Sequence, residues 1–125
     1  MTVAIEPAWT TRAVSATRIG EDTLLLMRVE DRRGISHLTA ARSRNGVTDW
    51  RVESEPTLSP DPDGHPEEVW GIEDPRITRI EELDLWAVVY TSYSEGGPLV
   101  SLATTKDFVS FTRKGVVIPP EDKDA

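Results

Sequence analysis

Apolar residues occur along this chain in short runs that are rich in β-branched and aromatic types, and Gly, Pro, Asn and Asp separate the runs. This pattern is typical of β-strands joined by turns, because branched side chains fit a pleated surface. No long stretch keeps the period of an amphipathic helix. Eight strands are predicted: Ala13–Ile19, Thr23–Val29, Ser36–Arg42, Trp50–Glu53, Arg76–Ile80, Leu85–Tyr93, Leu99–Thr104 and Phe111–Gly115.

The strand pattern repeats. An offset of 62 residues places Ala41-Arg42-Ser43-Arg44-Asn45 on Ala103-Thr104-Thr105-Lys106-Asp107, and Leu24-Leu25-Leu26 on Trp86-Ala87-Val88. Four strands in about 60 residues are typical of one β-propeller blade, although the same spacing fits an eight-stranded sandwich or barrel. Periodicity alone leaves both folds open. Two blades cannot close a ring, because a propeller has at least four.

Composition narrows the class of protein. The chain has 125 residues, the size of one domain, and its 14 basic and 22 acidic residues give a net charge of -8. This balance disfavours binding to nucleic acid or to an anionic membrane. The chain has no cysteine, and its two histidines, His37 and His65, lack metal-ligand spacing, so no metal site is predicted. With no signal sequence and no long apolar run, a soluble cytoplasmic protein is predicted.

Five segments carry a resemblance to a known family: Leu24-Leu25-Leu26-Met27-Arg28-Val29-Glu30-Asp31-Arg32-Arg33-Gly34-Ile35-Ser36-His37-Leu38, Ala41-Arg42-Ser43, Gly71-Ile72-Glu73-Asp74-Pro75-Arg76-Ile77-Thr78, Tyr90-Thr91-Ser92-Tyr93-Ser94 and Leu102-Ala103-Thr104-Thr105-Lys106-Asp107-Phe108. In unbroken order from about Ile19 to Ala125, the chain resembles glycoside hydrolase family 130, the β-mannoside phosphorylases and related mannosidases. The resemblance implies an all-β fold of two four-stranded blades from a five-bladed β-propeller. Residues 1–125 would form one partial domain, with the first blade at 12–62, the second at 63–118 and a link to a third blade at 119–125.

Cleaving a glycosidic bond requires a proton donor for the leaving oxygen and a nucleophile at the anomeric carbon. The resemblance implies an inverting reaction on a β-mannoside, with inorganic phosphate as nucleophile and no further cofactor. It places the general acid on Asp74 and the arginine that binds the mannosyl unit on Arg28. Glu73 and Arg76 flank the acid and are predicted to contact substrate. Without the resemblance, Asp74 is interpreted as a turn residue and Arg28 as a strand residue paired with Glu30 or Asp31.

The chain departs from the family pattern ahead of the first strand. Where the family has Asn-Pro-Gly or Asn-Pro-Ala, with the Asn touching the sugar, this chain has Arg12-Ala13-Val14-Ser15-Ala16. A methyl group at position 13 cannot make the hydrogen bonds of an amide. The family's phosphate-binding Arg, Lys and His residues lie in later blades.

Three functions therefore stay open. The first is a phosphorylase acting on β-mannoside oligosaccharides or glycans, and the second is a β-mannoside hydrolase in which water attacks. The third is a non-catalytic remnant that binds glycan or assembles into a homo-oligomer, which would cover the open blade edges.

Overall fold

The chain's structure, a computed structural model, describes residues 14–118. All eight predicted strands are confirmed, with ends that differ by a few residues; Ala13 lies outside the described residues. In chain order the elements are β1 (Val14–Ile19), β2 (Asp22–Glu30), β3 (Ser36–Ser43), β4 (Arg51–Val52), a 3-10 helix (Pro66–Glu68), β5 (Ile72–Ile80), a 3-10 helix (Glu81–Leu83), β6 (Leu85–Ser92), β7 (Leu99–Thr105) and β8 (Phe111–Ile118). Within these residues, no helix has the length and apolar character needed to cross a bilayer.

The strands form two antiparallel sheets of four, sheet 1 from β1–β4 and sheet 2 from β5–β8, each with its strands in chain order. This up-and-down order is that of a propeller blade and differs from the Greek-key order of most sandwiches. One core joins the two sheets, and burying it removes their apolar faces from water. The buried members of this core are Leu24, Leu26, Leu38, Ala40, Leu58, Ile72, Trp86, Val88, Tyr90, Ala103 and Phe108.

Hydroxyl groups of β1 fasten sheet 1 to sheet 2. The backbone N–H of Ile77 donates to Ser15 Oγ at 3.1 Å, and the indole N–H of Trp86 donates to Thr17 Oγ1 at 3.0 Å. Both donors belong to sheet 2, so each bond crosses the interface. A buried indole needs a partner for its N–H, and Thr17 supplies it. Polar bonds at the edge of an apolar core thus fix how the two sheets stack.

The turn that follows the third strand of each sheet confirms the repeat. The backbone N–H of Gly46 donates to Ser43 Oγ at 3.0 Å, and that of Phe108 donates to Thr105 Oγ1 at 2.9 Å. Gly46 and Phe108 both have left-handed backbones, with φ of 73° and 59°. A phenylalanine rarely adopts this conformation. Its burial in the shared core offsets the strain.

The predicted offset of 62 residues holds for the second strands. Leu24 pairs with Thr17 of β1, and Trp86 pairs with Arg79 of β5, each 62 residues further along the chain. The pairing with the third strand differs by one residue, since Ala41 pairs with Leu25, whereas Ala103 pairs with Val88. The intervening turn also differs, because it has five residues between β2 and β3 but six between β6 and β7.

Candidate functional site

The predicted acid motif lies inside β5, which begins at Ile72 and not at Arg76 as predicted. A bulge interrupts the pairing of β5 with β6 between Glu73 and Arg76. Asp74 has a left-handed backbone with φ of 54°, a conformation that Asp tolerates better than most residues. Pro75 has no N–H to donate to a neighbouring strand, and a proline within a strand is therefore tolerated at a bulge, where the pairing is interrupted. Bulges re-aim side chains, and this one takes Asp74 out of the regular alternation.

Gly71 allows the start of β5 to approach sheet 1 closely. It forms an isolated parallel bridge with Ser36, the first residue of β3. Its φ is +118°, and a Cβ atom there would lie 2.8 Å from the backbone nitrogen of Ser36. Only glycine satisfies both the conformation and the distance. The acid motif of sheet 2 is thereby held against sheet 1.

Arg28 connects the two sheets beside this bridge. Its Nε donates to Ser36 Oγ at 3.0 Å, its Nη2 to Glu30 Oε1 at 3.0 Å, and its Nη1 to Glu73 Oε1 at 3.4 Å. Among the described residues these bonds use three of the five N–H donors of a guanidinium. The side chain is 35% exposed, so the remaining donors are open to a ligand. The pairing with Glu30 matches the alternative interpretation, and the contact with Glu73 adds a second carboxylate.

Carboxyl groups outnumber cations around Arg28. Burial raises the pKa of Glu73; Arg28 opposes this rise, while the charges of Asp74 and Glu30 add to it. Burial also raises the pKa of the Tyr93 phenol, with further contributions from Glu73 and Asp74. These groups therefore share one electrostatic neighbourhood. A cation and several carboxyls at one point can hold sugar hydroxyls and transfer a proton.

The structure brings together three of the four predicted site residues. Arg28, Glu73 and Asp74 lie at the interface of the sheets, whereas Arg76 is exposed and makes no hydrogen bond to the other three within residues 14–118. Sequence reasoning missed Tyr93 as a neighbour, although the segment that contains it matched the family. Ala13, where the family's Asn is missing, lies outside the described residues, so that prediction stays a prediction.

A buried ion pair fixes the segment that leads into this site. Glu68 is fully buried, and its two carboxylate oxygens accept bonds from Arg113 at 3.1 and 3.0 Å. One oxygen also accepts from the Tyr90 hydroxyl at 2.8 Å, and the other from the Asp61 backbone N–H at 3.0 Å. The carbonyl of Glu68 accepts from Gly71 N–H at 2.9 Å. The pair thus anchors the residues just ahead of the acid motif.

One group of side chains among the described residues has the composition of a metal site. Ligand atoms of His65, Glu67 and Glu68 all lie within 4.8 Å of one another. The carboxylate of Glu68 is already occupied by Arg113 and Tyr90. Two side chains then remain, which is fewer than zinc requires. This group fits the ion-pair network better than a metal centre.

Replacing Gly71 by Ala is expected to destabilise the protein by about 1–3 kcal/mol, because a Cβ atom would both strain the backbone and collide with Ser36. Gly97→Ala is the matched control, since Gly97 also has a positive φ, +97°, but no atom within 4 Å of the added carbon. Urea denaturation of both variants measures the difference. Equal losses would mean that the contact with Ser36 contributes nothing.

Comparison with known proteins agrees with this geometry. The model of the β-1,4-mannooligosaccharide phosphorylase family matches residues 23–124. A 1,2-β-oligomannan phosphorylase of Thermoanaerobacter sp. (strain X514) is 33% identical over 94 residues, covering 73% of this chain and 30% of the relative. A β-1,2-mannobiose phosphorylase of Listeria innocua is 34% identical over 90 residues, covering 72% and 24%.

A solved structure shows the same architecture. This structure comes from the GH130 family of mannoside phosphorylases. That family contains glycoside hydrolases that target β-1,2 mannosidic linkages in Candida mannan. The structure matches with a TM-score of 0.78 and 27% identity, over 88% of this chain and 32% of that one.

The fold and the matches define a partial β-propeller of the kind found in glycoside hydrolase families. More specifically, the chain belongs to glycoside hydrolase family 130, the mannoside phosphorylase family. The predicted family and fold class are confirmed: the two sheets form a partial propeller, and the family's solved structures are five-bladed propellers. The chain spans 30% and 24% of the lengths of the two curated relatives.

Proposed function

We propose that this chain supplies the general-acid part of the active site of a β-1,2-mannoside phosphorylase. The observation that carries the proposal is the contact of Arg28 with Glu73, next to Asp74, at the interface of the two sheets. The curated relatives are phosphorylases of 1,2-β-oligomannan and β-1,2-mannobiose, which favours the 1,2 linkage.

In the proposed reaction, Asp74 delivers its proton toward the glycosidic oxygen, through a sugar hydroxyl as the family resemblance implies. The bond between this oxygen and the anomeric carbon breaks, and inorganic phosphate forms the new bond from the opposite side. The products are α-mannose 1-phosphate and a mannoside shortened by one unit. The free N–H groups of Arg28 bind mannosyl hydroxyls. Glu73 orients Arg28 and, like Arg76, contacts substrate in this proposal.

The wider organisation is part of the same proposal. Residues 12–62 and 63–118 form the first and second blades, and residues 119–125, outside the described part, lead into the third. The cations that hold phosphate come from later blades. The cytoplasmic location remains a prediction from the sequence. A homo-oligomer in which another copy covers the outer strand β8 is the proposed assembly, supported by the 41% and 42% exposure of Val116 and Val117.

Hydrolysis is the second candidate reaction, because the family contains glycoside hydrolases that target β-1,2 mannosidic linkages. The protein is purified together with the later blades that this proposal requires, and is incubated with β-1,2-mannobiose, with and without phosphate. Mannose 1-phosphate that forms only with phosphate is the expected result. Two mannose molecules formed without phosphate would indicate the hydrolase. A folded sample that neither binds nor cleaves mannobiose would contradict both the phosphorylase and the hydrolase. The mass of the protein in solution tests separately whether a homo-oligomer forms.

A further inference from the structure

Ser36 contacts Arg28 from the buried face of sheet 1. Its side chain is 5% exposed, and its hydroxyl accepts the Nε–H of Arg28 at 3.0 Å. Ser36 pairs directly with Glu30 of β2. Arg28 precedes Glu30 by two residues, so their side chains share a face of the strand, and Arg28 and Ser36 are diagonal neighbours. Leu38, the partner of Arg28 in β3, belongs to the core between the sheets, so this face packs against sheet 2.

The backbone around Ser36 holds this hydroxyl in place. Just ahead of Ser36, the backbone N–H of Asp31 donates to the Ile35 carbonyl at 2.9 Å, and the Ile35 N–H donates to Asp31 Oδ1 at 3.1 Å. Gly71 of sheet 2 forms its bridge with Ser36 itself. Serine has a single χ angle between its backbone and Oγ, so a fixed backbone leaves the oxygen few positions. Ser36 is therefore a rigid acceptor.

The other two partners restrict Arg28 less. Glu30 accepts at 3.0 Å, but its side chain is 51% exposed, and exposed ion pairs hold their geometry weakly. Glu73 accepts at 3.4 Å, which is long for a hydrogen bond. A carboxylate also accepts from any N–H of a guanidinium. The guanidinium is planar, so a bond fixed at Nε limits the directions in which its remaining N–H groups point.

We propose that Ser36 is a positioning residue, which orients the guanidinium of Arg28 so that its free N–H groups meet the mannosyl unit beside Asp74. The inference rests on the proposed function for the ligand of Arg28. Ser36 acts through Arg28 and does not touch the sugar, because its side chain is buried. Without the hydroxyl, the two carboxylates alone would hold Arg28, in a wider range of orientations.

The test measures the kinetics of β-1,2-mannobiose phosphorolysis by the protein with its later blades. Ser36→Ala is expected to raise KM for mannobiose about tenfold, the effect of one lost hydrogen bond to a charged group. The value of kcat should stay within about twofold, since Arg28 binds the sugar both before and during the reaction. Ser36→Cys nearly keeps the size of the side chain but offers only a weak acceptor, so it should act in the same way.

Ser101→Ala is the matched control. Ser101 is also buried, and its hydroxyl bonds to that of Ser92 at 2.8 Å within sheet 2. This variant loses a buried hydrogen bond of a serine, as Ser36→Ala does, but the bond does not involve Arg28. Any loss of stability, measured by urea denaturation, is therefore expected without a change in KM.

A double-mutant cycle separates positioning from a merely structural role. Arg28→Met removes the guanidinium but keeps an unbranched side chain, and it is expected to raise KM. Adding Ser36→Ala to this variant should raise KM no further, because no guanidinium is left to orient. Additive increases in KM would overturn the inference, since Ser36 would then act independently of Arg28.

The remaining outcomes separate this inference from the proposed function. A raised KM in Arg28→Met, with KM unchanged in both Ser36 variants, would overturn the positioning role and leave the mannoside site standing. A loss in Ser36→Ala confined to kcat would also count against positioning. An unchanged KM in Arg28→Met would remove Arg28 as a sugar ligand, and this inference with it, while phosphorolysis itself would stand. A folded protein that neither binds nor cleaves mannobiose would overturn both.

Discussion

Replacing Asp74 by Asn is expected to lower the rate of mannose 1-phosphate formation from β-1,2-mannobiose by a factor of about 10²–10⁴, the usual contribution of a general acid. The carboxamide keeps the shape of the side chain but cannot deliver an acidic proton. Asn also tolerates the left-handed backbone of this position, where φ is 54°. The variant should therefore fold, and the loss of activity should appear as a lower kcat at saturating phosphate.

The matched control for this result is Asp49→Asn. Asp49 has nearly the same backbone, with φ of 57°, but it is exposed and lies in the turn before β4. Its variant is expected to keep full activity. A mannoside whose leaving group needs no proton should restore much of the rate of Asp74→Asn, because general acid catalysis then contributes little. An Asn variant that retains mannobiose phosphorolysis within twofold would remove Asp74 from the mechanism.

Replacing Glu68 by Ala is expected to destabilise the protein by about 3–5 kcal/mol, the cost of removing one partner from a buried ion pair. Arg113, whose side chain is only 17% exposed, would lose both of its bonds to the carboxylate, and the Tyr90 hydroxyl would lose its acceptor. The residues ahead of Gly71 would lose the side-chain anchor that Glu68 gives them. Urea denaturation, followed by tryptophan fluorescence, measures the change in the free energy of unfolding.

Glu21→Ala is the matched control for the buried pair. Glu21 binds Arg44 at 2.8 Å, but the two side chains are 83% and 73% exposed. Exposed pairs of this kind contribute about 0–1 kcal/mol, because water screens both charges. The contrast between the two variants isolates the effect of burial. A Glu68→Ala variant no less stable than Glu21→Ala would show that the Arg113 pair does not hold this segment.

The strands and the repeat could be predicted from the sequence because they depend on local order. A run such as Leu24-Leu25-Leu26 bounded by turn residues indicates a strand wherever it packs. The turns at Ser43 and Thr105 repeat because each hydroxyl bonds the backbone a few residues away. The register of β6 on β7, which differs by one residue from that of β2 on β3, required the observed pairing. The sequence predicted that β5 begins at Arg76, just after Pro75, although a bulge carries the strand through Pro75.

By itself, the sequence determined the positions of the strands along the chain, the family motifs and the identity of Asp74 and Arg28 as candidates, since each lies within a short continuous segment. Only the tertiary structure decided that Arg28 meets Glu73 and that Glu68 pairs with Arg113, contacts that each span 45 residues. Such contacts depend on how the two sheets stack, and the spacing of residues along the chain does not indicate that stacking. The stacking follows from a shared apolar core, from the hydroxyls of β1 and from the one glycine that fits against Ser36.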